Sequence, residues 1–386
     1  MNFQESFSRL EKYIIQEKYK GYDPYDTLNS WMPFQIIGKW GTTIATQIQK
    51  RNPINIRPSI GIEKEYNPKA MGLFLHAYSI LYRKTQKKEY LQQANFFYNW
   101  LINNYSTGYS GICWGYNFPW ATPAKYIKRY TPSSVVTGTI IKGINEYYKN
   151  AKSKSVADVI ASATQFINQD LKMIEDENGL CISYTPLRPD ICYNASLLGA
   201  EVLAIDYFVN KSEDSKSKAI SAVEYVINNQ KQNGVWAYSK DVETGTERIQ
   251  TDFHQGYIIE SIYNVQKNLG LSRTAWNKSI KKGLKYYKNN QFTDYGRSFW
   301  RLPREYPVDI HNQAQGIITF KMLGEIYDIG KNFDKIITSW TMNNMQDNNG
   351  YFYYQKFKTY TNKIPYMRWS QAWMFLALTL VLDNNE

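Results

Sequence analysis

Three short segments place acids and imidazoles in one register: Asp190-Ile-Cys192-Tyr-Asn194, Asp252-Phe-His254-Gln-Gly256 and Asp309-Ile-His311-Asn-Gln313. The chain has three histidines, and two of them occupy the same place in this pattern. A carboxylate beside an imidazole can fix its tautomer and orient it, as general acid or base work requires. His254 and His311 are therefore the candidate acid/base groups, with Asp252 and Asp309 orienting them or acting directly. Tyr257, in the first turn after His254, is a further candidate acid or base. The same aspartates would also serve as helix N-caps, so the pattern has a purely structural reading as well. Cys192, His254 and His311 could make a zinc set with an open position if their helices converged. Neighbouring positions on a wide ring need not converge, and no metal or other cofactor is expected.

Arginines gather at or before the helix starts that these segments open: Arg129, Arg188, Arg248, Arg297, Arg301, Arg304 and Arg368. A guanidinium is a natural bidentate clamp for carboxylate or phosphate. As a set they point to an anionic ligand such as a uronic acid or pyrophosphate, with Arg301, Arg304 and Arg368 as the expected clamps. Trp236, Trp300 and Trp369 are expected to stack on sugar rings, and Tyr193, Asn194, Asn312 and Gln315 to add contacts. The net charge of +12 suits an acidic ligand. No run of five basic residues occurs and no basic stripe forms, which argues against nucleic acid. Nothing supports nucleotide hydrolysis, hydride transfer or serine chemistry: there is no phosphate-binding Gly-rich loop, no dinucleotide fingerprint, no HExxH and no GxSxG.

What must position these groups is a repeated element. Five segments share one grammar: a glycine, a few apolar or aromatic residues, a loop, then a helix start. They begin at Gly111, Gly179, Gly234, Gly296 and Gly350. With Asn67 as an earlier start, the helix starts Asn67, Thr131, Asp190, Asp252, Asp309 and Arg368 recur every 57–64 residues. That period fits two helices and two loops. Helices near 67–85, 131–149, 190–209, 252–269, 309–328 and 368–383 are apolar on nearly every side and should be buried. Helices near 88–104, 153–170, 214–230, 272–289 and 331–345 carry one apolar stripe and should face water. One or two more helices fall within 3–50. The aromatic segments after the glycines read as short hairpins on one rim. The expected architecture is all-α, an (α/α)6 toroid of six helical hairpins forming one domain over residues 1–386. Its inner helices would aim their N-termini, and their positive dipole ends, at a common mouth.

An odd number of cysteines (Cys113, Cys181 and Cys192), whose spacing matches no zinc or disulfide framework, and no apolar stretch long enough to span a bilayer suggest a reducing compartment and no transmembrane segment. Cytoplasmic residence, peripheral to the inner membrane, is the expectation.

Six segments stand out: Pro53-Ile-Asn-Ile-Arg57, Asn67-Pro-Lys-Ala70, Cys192-Tyr-Asn-Ala-Ser-Leu-Leu198, Asp252-Phe-His-Gln-Gly256, Pro307-Val-Asp-Ile-His-Asn-Gln-Ala-Gln315 and Pro365-Tyr-Met-Arg-Trp-Ser-Gln-Ala-Trp373. By these the chain resembles, over nearly its whole length, a bacterial family of surface-polysaccharide biosynthesis proteins of the VpsJ type. It implies a carbohydrate-active enzyme of capsule, O-antigen or exopolysaccharide assembly. Such an enzyme would act on an acidic glycan as lyase, hydrolase or epimerase, and polysaccharide-assembly proteins are its implied partners. The alternative is a non-catalytic glycan-binding or scaffold protein of the same machinery. The expected ring is also similar to the toroids of glucuronyl hydrolases, polysaccharide lyases and sugar epimerases, which use different catalytic residues.

Overall fold

A computed structural model describes residues 2–122 and 125–382. Six inner helices form the ring: α3 (Pro68–Thr85), α5 (Ser134–Ala151), α7 (Tyr193–Asn210), α9 (His254–Leu269), α11 (Ile310–Leu323) and α13 (Trp373–Val381). Each packs on the next, and α13 packs back on α3, so the ring closes. Outside lie α4 (Lys88–Asn103), α6 (Lys154–Gln169), α8 (Glu213–Asn228), α10 (Thr274–Gln291) and α12 (Phe333–Met345). The sixth outer helix is α1 (Phe3–Gln16), which buries Phe7, Leu10 and Ile14 and packs on α13. A further helix, α2 (Gly38–Arg51), lies beside the mouth. The fold is the expected (α/α)6 toroid. α7 shows why the inner helices are apolar all round, since every residue from Tyr193 to Asp206 is buried.

The repeated glycines explain how each unit is fastened to the next. A Cβ at Gly111 would stand 1.8 Å from Ser162 O on α6, and one at Gly179 2.4 Å from Ser221 O on α8. The same contact recurs from Gly234 to Lys282 O on α10 (2.5 Å), Gly296 to Ile336 O on α12 (2.8 Å) and Gly350 to Arg9 O on α1 (2.2 Å). Only a residue without a side chain permits this approach.

The aromatic segments differ from expectation. Only Gly179–Ile182 is a strand (β4), paired with β3 (Met173–Asp176). The other four are extended pieces clamped by a side chain of the adjacent inner helix. Gln255 accepts from Trp236 N and donates to Trp236 O. Gln371 holds Phe352 in the same way. Gln313 accepts from Ser298 N and donates to Gly296 O. Thr137 accepts from Trp114 N. A side-chain amide supplies both halves of a ladder rung, so no sheet partner is needed. The remaining strands form short rim pairs: β1 (Trp120–Thr122) with β2 (Lys125–Ile127), β5 (Ile191–Cys192) with β6 (Ser239–Lys240) and β7 (Glu247–Arg248), and β8 (Val308–Asp309) with β9 (Gln355–Lys356) and β10 (Thr361–Asn362).

Three helix starts are corrected. α9 begins at His254 with Phe253, one residue past Asp252, at its cap position. Ser133, not Thr131, caps α5, accepting from Val136 N, and Pro132 lies outside the helix. α7 begins at Tyr193, and Asp190 instead accepts from Tyr184 N across its loop. Asn67 and Asp309 cap α3 and α11 as expected. The last inner helix is entered through a π-helical turn, Met367–Ala372.

Candidate active site

The N-terminal ends of all six inner units line one cavity of about 1040 Å³, reached by Lys69, Val135, Asn194, His254, His311 and Arg368. Convergence of these ends is a direct product of the ring.

On one wall, His254 Nδ1 lies 2.5 Å from Asp252 Oδ1, which also accepts from His254 N at 3.2 Å. The other oxygen, Oδ2, accepts from Gln250 at 2.8 Å and pairs with Arg301 Nε at 3.2 Å. Burial alone would raise the Asp252 carboxyl, but His254 and Arg301 outweigh it and hold the group below its ordinary value. An ionised carboxylate only accepts, so Nδ1 carries a proton and Nε2 is the ring nitrogen left for a ligand.

The second imidazole lies across Phe253, whose ring stands 4.2 Å from His254 and 4.3 Å from His311, centroid to centroid. His311 Nε2 is 2.5 Å from Tyr257 Oη. Burial, reinforced by Lys69 and Arg368, holds His311 well below its usual value, and burial pushes the Tyr257 phenol well up. Both are therefore neutral near neutral pH, and the pair holds a transferable proton. Asp309 sits behind His311, accepting from His311 N (2.9 Å), Trp369 Nε1 (2.8 Å) and Gln355 Nε2 (2.7 Å).

Lys69, on the first turn of α3, was not foreseen. Its side chain is buried and lines the cavity, near the rings of Tyr257 and Trp373. Among the described residues no carboxylate pairs with its ammonium. Burial, then Arg368 and Lys142, hold Lys69 well below the usual lysine value. One sequence signal existed: a cation in a helix's first turn opposes the helix dipole and needs another reason to be there. Arg368 is held by Asp23, Nη2 to Oδ1 at 2.7 Å. The lining has seven Lys and Arg against three Asp and Glu, so the cavity is basic.

Of the expected contacts, Trp369, Asn194, Arg301 and Arg368 line the cavity. Several others do not. Trp236 is core, its indole N–H donating to Val226 O. Tyr193 packs on Tyr225 of α8, away from the mouth. Asn312 brackets two loops, accepting from Phe253 N and donating to Phe299 O and Trp300 O. Gln315 lies deeper on the axis, donating to Glu260. Trp300 stacks under Arg301 outside the lining, and Arg304 is exposed on its loop. Asp252 and Asp309 stand behind the wall rather than on it. Tyr116, Tyr184 and Tyr238 supply aromatic lining that the tryptophans were expected to give. No group of three His, Cys, Asp or Glu among the described residues is placed to hold a metal ion, and Cys192 instead donates to Asn194 Oδ1.

The site is a basic, aromatic-lined pocket at one mouth of a toroid, and comparisons with solved structures agree on the fold. A sugar epimerase from a ruminal bacterium superposes with a TM-score of 0.69 at 13% identity, covering 99% of this chain and 100% of that one. Cellobiose 2-epimerase from Bacillus thermoamylovorans gives 0.65 at 15%, over 83% and 90%. An unsaturated glucuronyl hydrolase specific for heparin gives 0.60 at 10%, over 98% and 97%. These neighbours are carbohydrate-active enzymes, and at such identities the likeness is one of fold. No protein-family model and no curated protein matches the sequence significantly. No helix among the described residues is long and apolar enough to cross a membrane.

Proposed function

We propose that this chain is a carbohydrate-active enzyme that alters an acidic sugar by proton transfer, as an epimerase or lyase, in the assembly of a bacterial surface polysaccharide. The observation that carries the reading is His254, fixed by Asp252 through Nδ1 and lining a basic, aromatic cavity. His254 would take a proton from a sugar carbon. Lys69 and Arg301 would hold the carboxylate and the negative charge that develops beside it. The Tyr257–His311 pair would return a proton from its neighbouring position. The surface-polysaccharide assignment rests on the resemblance of the motif segments, and the glycan class on the cavity chemistry and the toroid neighbours. Hydrolysis fits less well, because it wants two carboxylates flanking the scissile bond. Asp252 and Asp309 are turned to their own hydrogen-bond partners.

The test is incubation with uronate-containing oligosaccharides in heavy water. Deuterium at a sugar carbon, or the absorbance of an unsaturated uronate, is the expected product signal, and His254→Ala should abolish it while glycan binding persists. Cleavage without either signal would favour hydrolysis and sink the proposal. Binding without any chemistry in the wild type would favour a scaffold.

A further inference from the structure

α2 is built inside out. Its buried face is polar, with Thr42, Thr46 and Gln49 nearly inaccessible. Its exposed face is apolar, with Trp40 56%, Ile44 52% and Ile48 65% exposed, one turn apart. Just before the helix, Ile36 is 83% exposed and Trp31 69%, and Ile54 beyond it is 69% exposed. A surface helix in water normally shows the opposite pattern, and a concentration of large exposed apolar side chains marks a contact surface. The polar face has its own reason to turn inward: Thr46, Gln47 and Lys50 of α2 line the cavity. The apolar face has no partner among the described residues.

Charge says what kind of partner fits. No Asp or Glu occurs between Asp26 and Glu63, whereas Lys39, Lys50 and Arg51 do; Arg57 is buried in a pair with Asp26 and adds nothing to this face. The last turn of α2 is basic, and the whole chain carries +12. A second copy of the same acid-free face would meet like charge. Tryptophan and isoleucine on one side of a short helix, with basic residues at its end, match a helix lying in the interface of an anionic bilayer.

We propose that α2 and its flanking loops dock this chain on an anionic membrane surface, with Trp40, Ile44 and Ile48 entering the boundary between headgroups and acyl chains. Docking by this face brings the cavity mouth to the membrane plane, because the opposite edge of the same helix forms part of the cavity wall. The inference stands apart from the chemistry assigned to His254.

The experiment is flotation with vesicles of phosphatidylcholine containing phosphatidylglycerol, and with phosphatidylcholine alone. The wild type should float with the anionic vesicles and release as salt is raised. I44N/I48N should float about tenfold less or worse, having lost two buried side chains. Both positions are exposed, so the variant should keep its circular dichroism and melting temperature; Trp40→Ala gives a second, independent reading of the same face. Absence of flotation at low salt would overturn the proposal, as would equal flotation of I44N/I48N. A wild-type dimer that I44N/I48N converts to monomer, without vesicle binding, would also overturn it and assign the face to a second copy.

Discussion

Asp252 does two jobs, and one substitution separates them. Asp252→Asn keeps the shape but removes the charge that fixes the His254 tautomer. It should lower kcat on a responsive uronate glycan by about 10²–10⁴-fold, with a much smaller change in KM. Its second job is stability. The Asp252 carboxyl is depressed in the fold, so it stabilises fully above its ordinary value of 3.8 and loses that contribution as pH falls through its lower folded value. Asn lacks this contribution at every pH. The gap in urea midpoint between wild type and variant should therefore be wide at about pH 6 and narrow toward about pH 3. A gap that stays constant would show that the carboxylate charge is not what matters. The placement of this wall was legible in the chain, because Asp-x-His recurs in one register at two helix starts that the ring brings together, although capping accounts for the same spacing. Lys69 was not, since Asn67-Pro68-Lys69 reads as an ordinary capped start until the ring buries it.

Among the elements, the side-chain clamps decide how the loops at the mouth are held. Gln313 satisfies Ser298 N and Gly296 O, and it also donates to Thr341 Oγ1. Gln313→Leu would leave two buried backbone groups and a hydroxyl without that partner. The expected cost is about 2–4 kcal/mol by denaturant unfolding; a loss under about 0.5 kcal/mol would mean that the loop finds other partners. The clamps also explain why Trp236 departs from expectation while Trp369 lines the cavity as expected. Trp236 and Trp369 sit in similar aromatic, Gly-led or Arg-led contexts, and nothing local separates a stacking surface from a core plug. The separation lies in the third dimension, where Trp236 reaches the end of α8 and Trp369 reaches Asp309. Helix starts were shifted by up to three residues for a related reason. Asp190 has the chemistry of a cap but serves its own loop by accepting from Tyr184 N, and Ser133, two residues past Thr131, holds the cap position of α5.

For the molecule as a whole, the period alone announced the ring. Five outer helices were visible in it, and the sixth was hidden because it comes before the first repeat. Gly350 is the clue: its counterparts each touch the next outer helix, so the last must touch α1. Gly350→Ala combines a positive φ of 98° with a Cβ 2.2 Å from Arg9 O, and should cost about 2–4 kcal/mol. Loss of α1 protection in hydrogen exchange should accompany it; protection lost elsewhere first would contradict the seam. Ser6 and Gln346 exchange two hydrogen bonds across this junction, and Phe7 stacks on Phe375 at 5.0 Å.

That seam also sets an order of events in the cell. α1 leaves the ribosome well ahead of the strip it must meet, because Ser6 and Gln346 are 340 residues apart. At roughly 5–20 residues per second, the wait is on the order of 20–70 s. Throughout it Phe7, Leu10 and Ile14 have no pocket to enter, so the nascent chain carries an unpaired amphipathic helix for most of its synthesis.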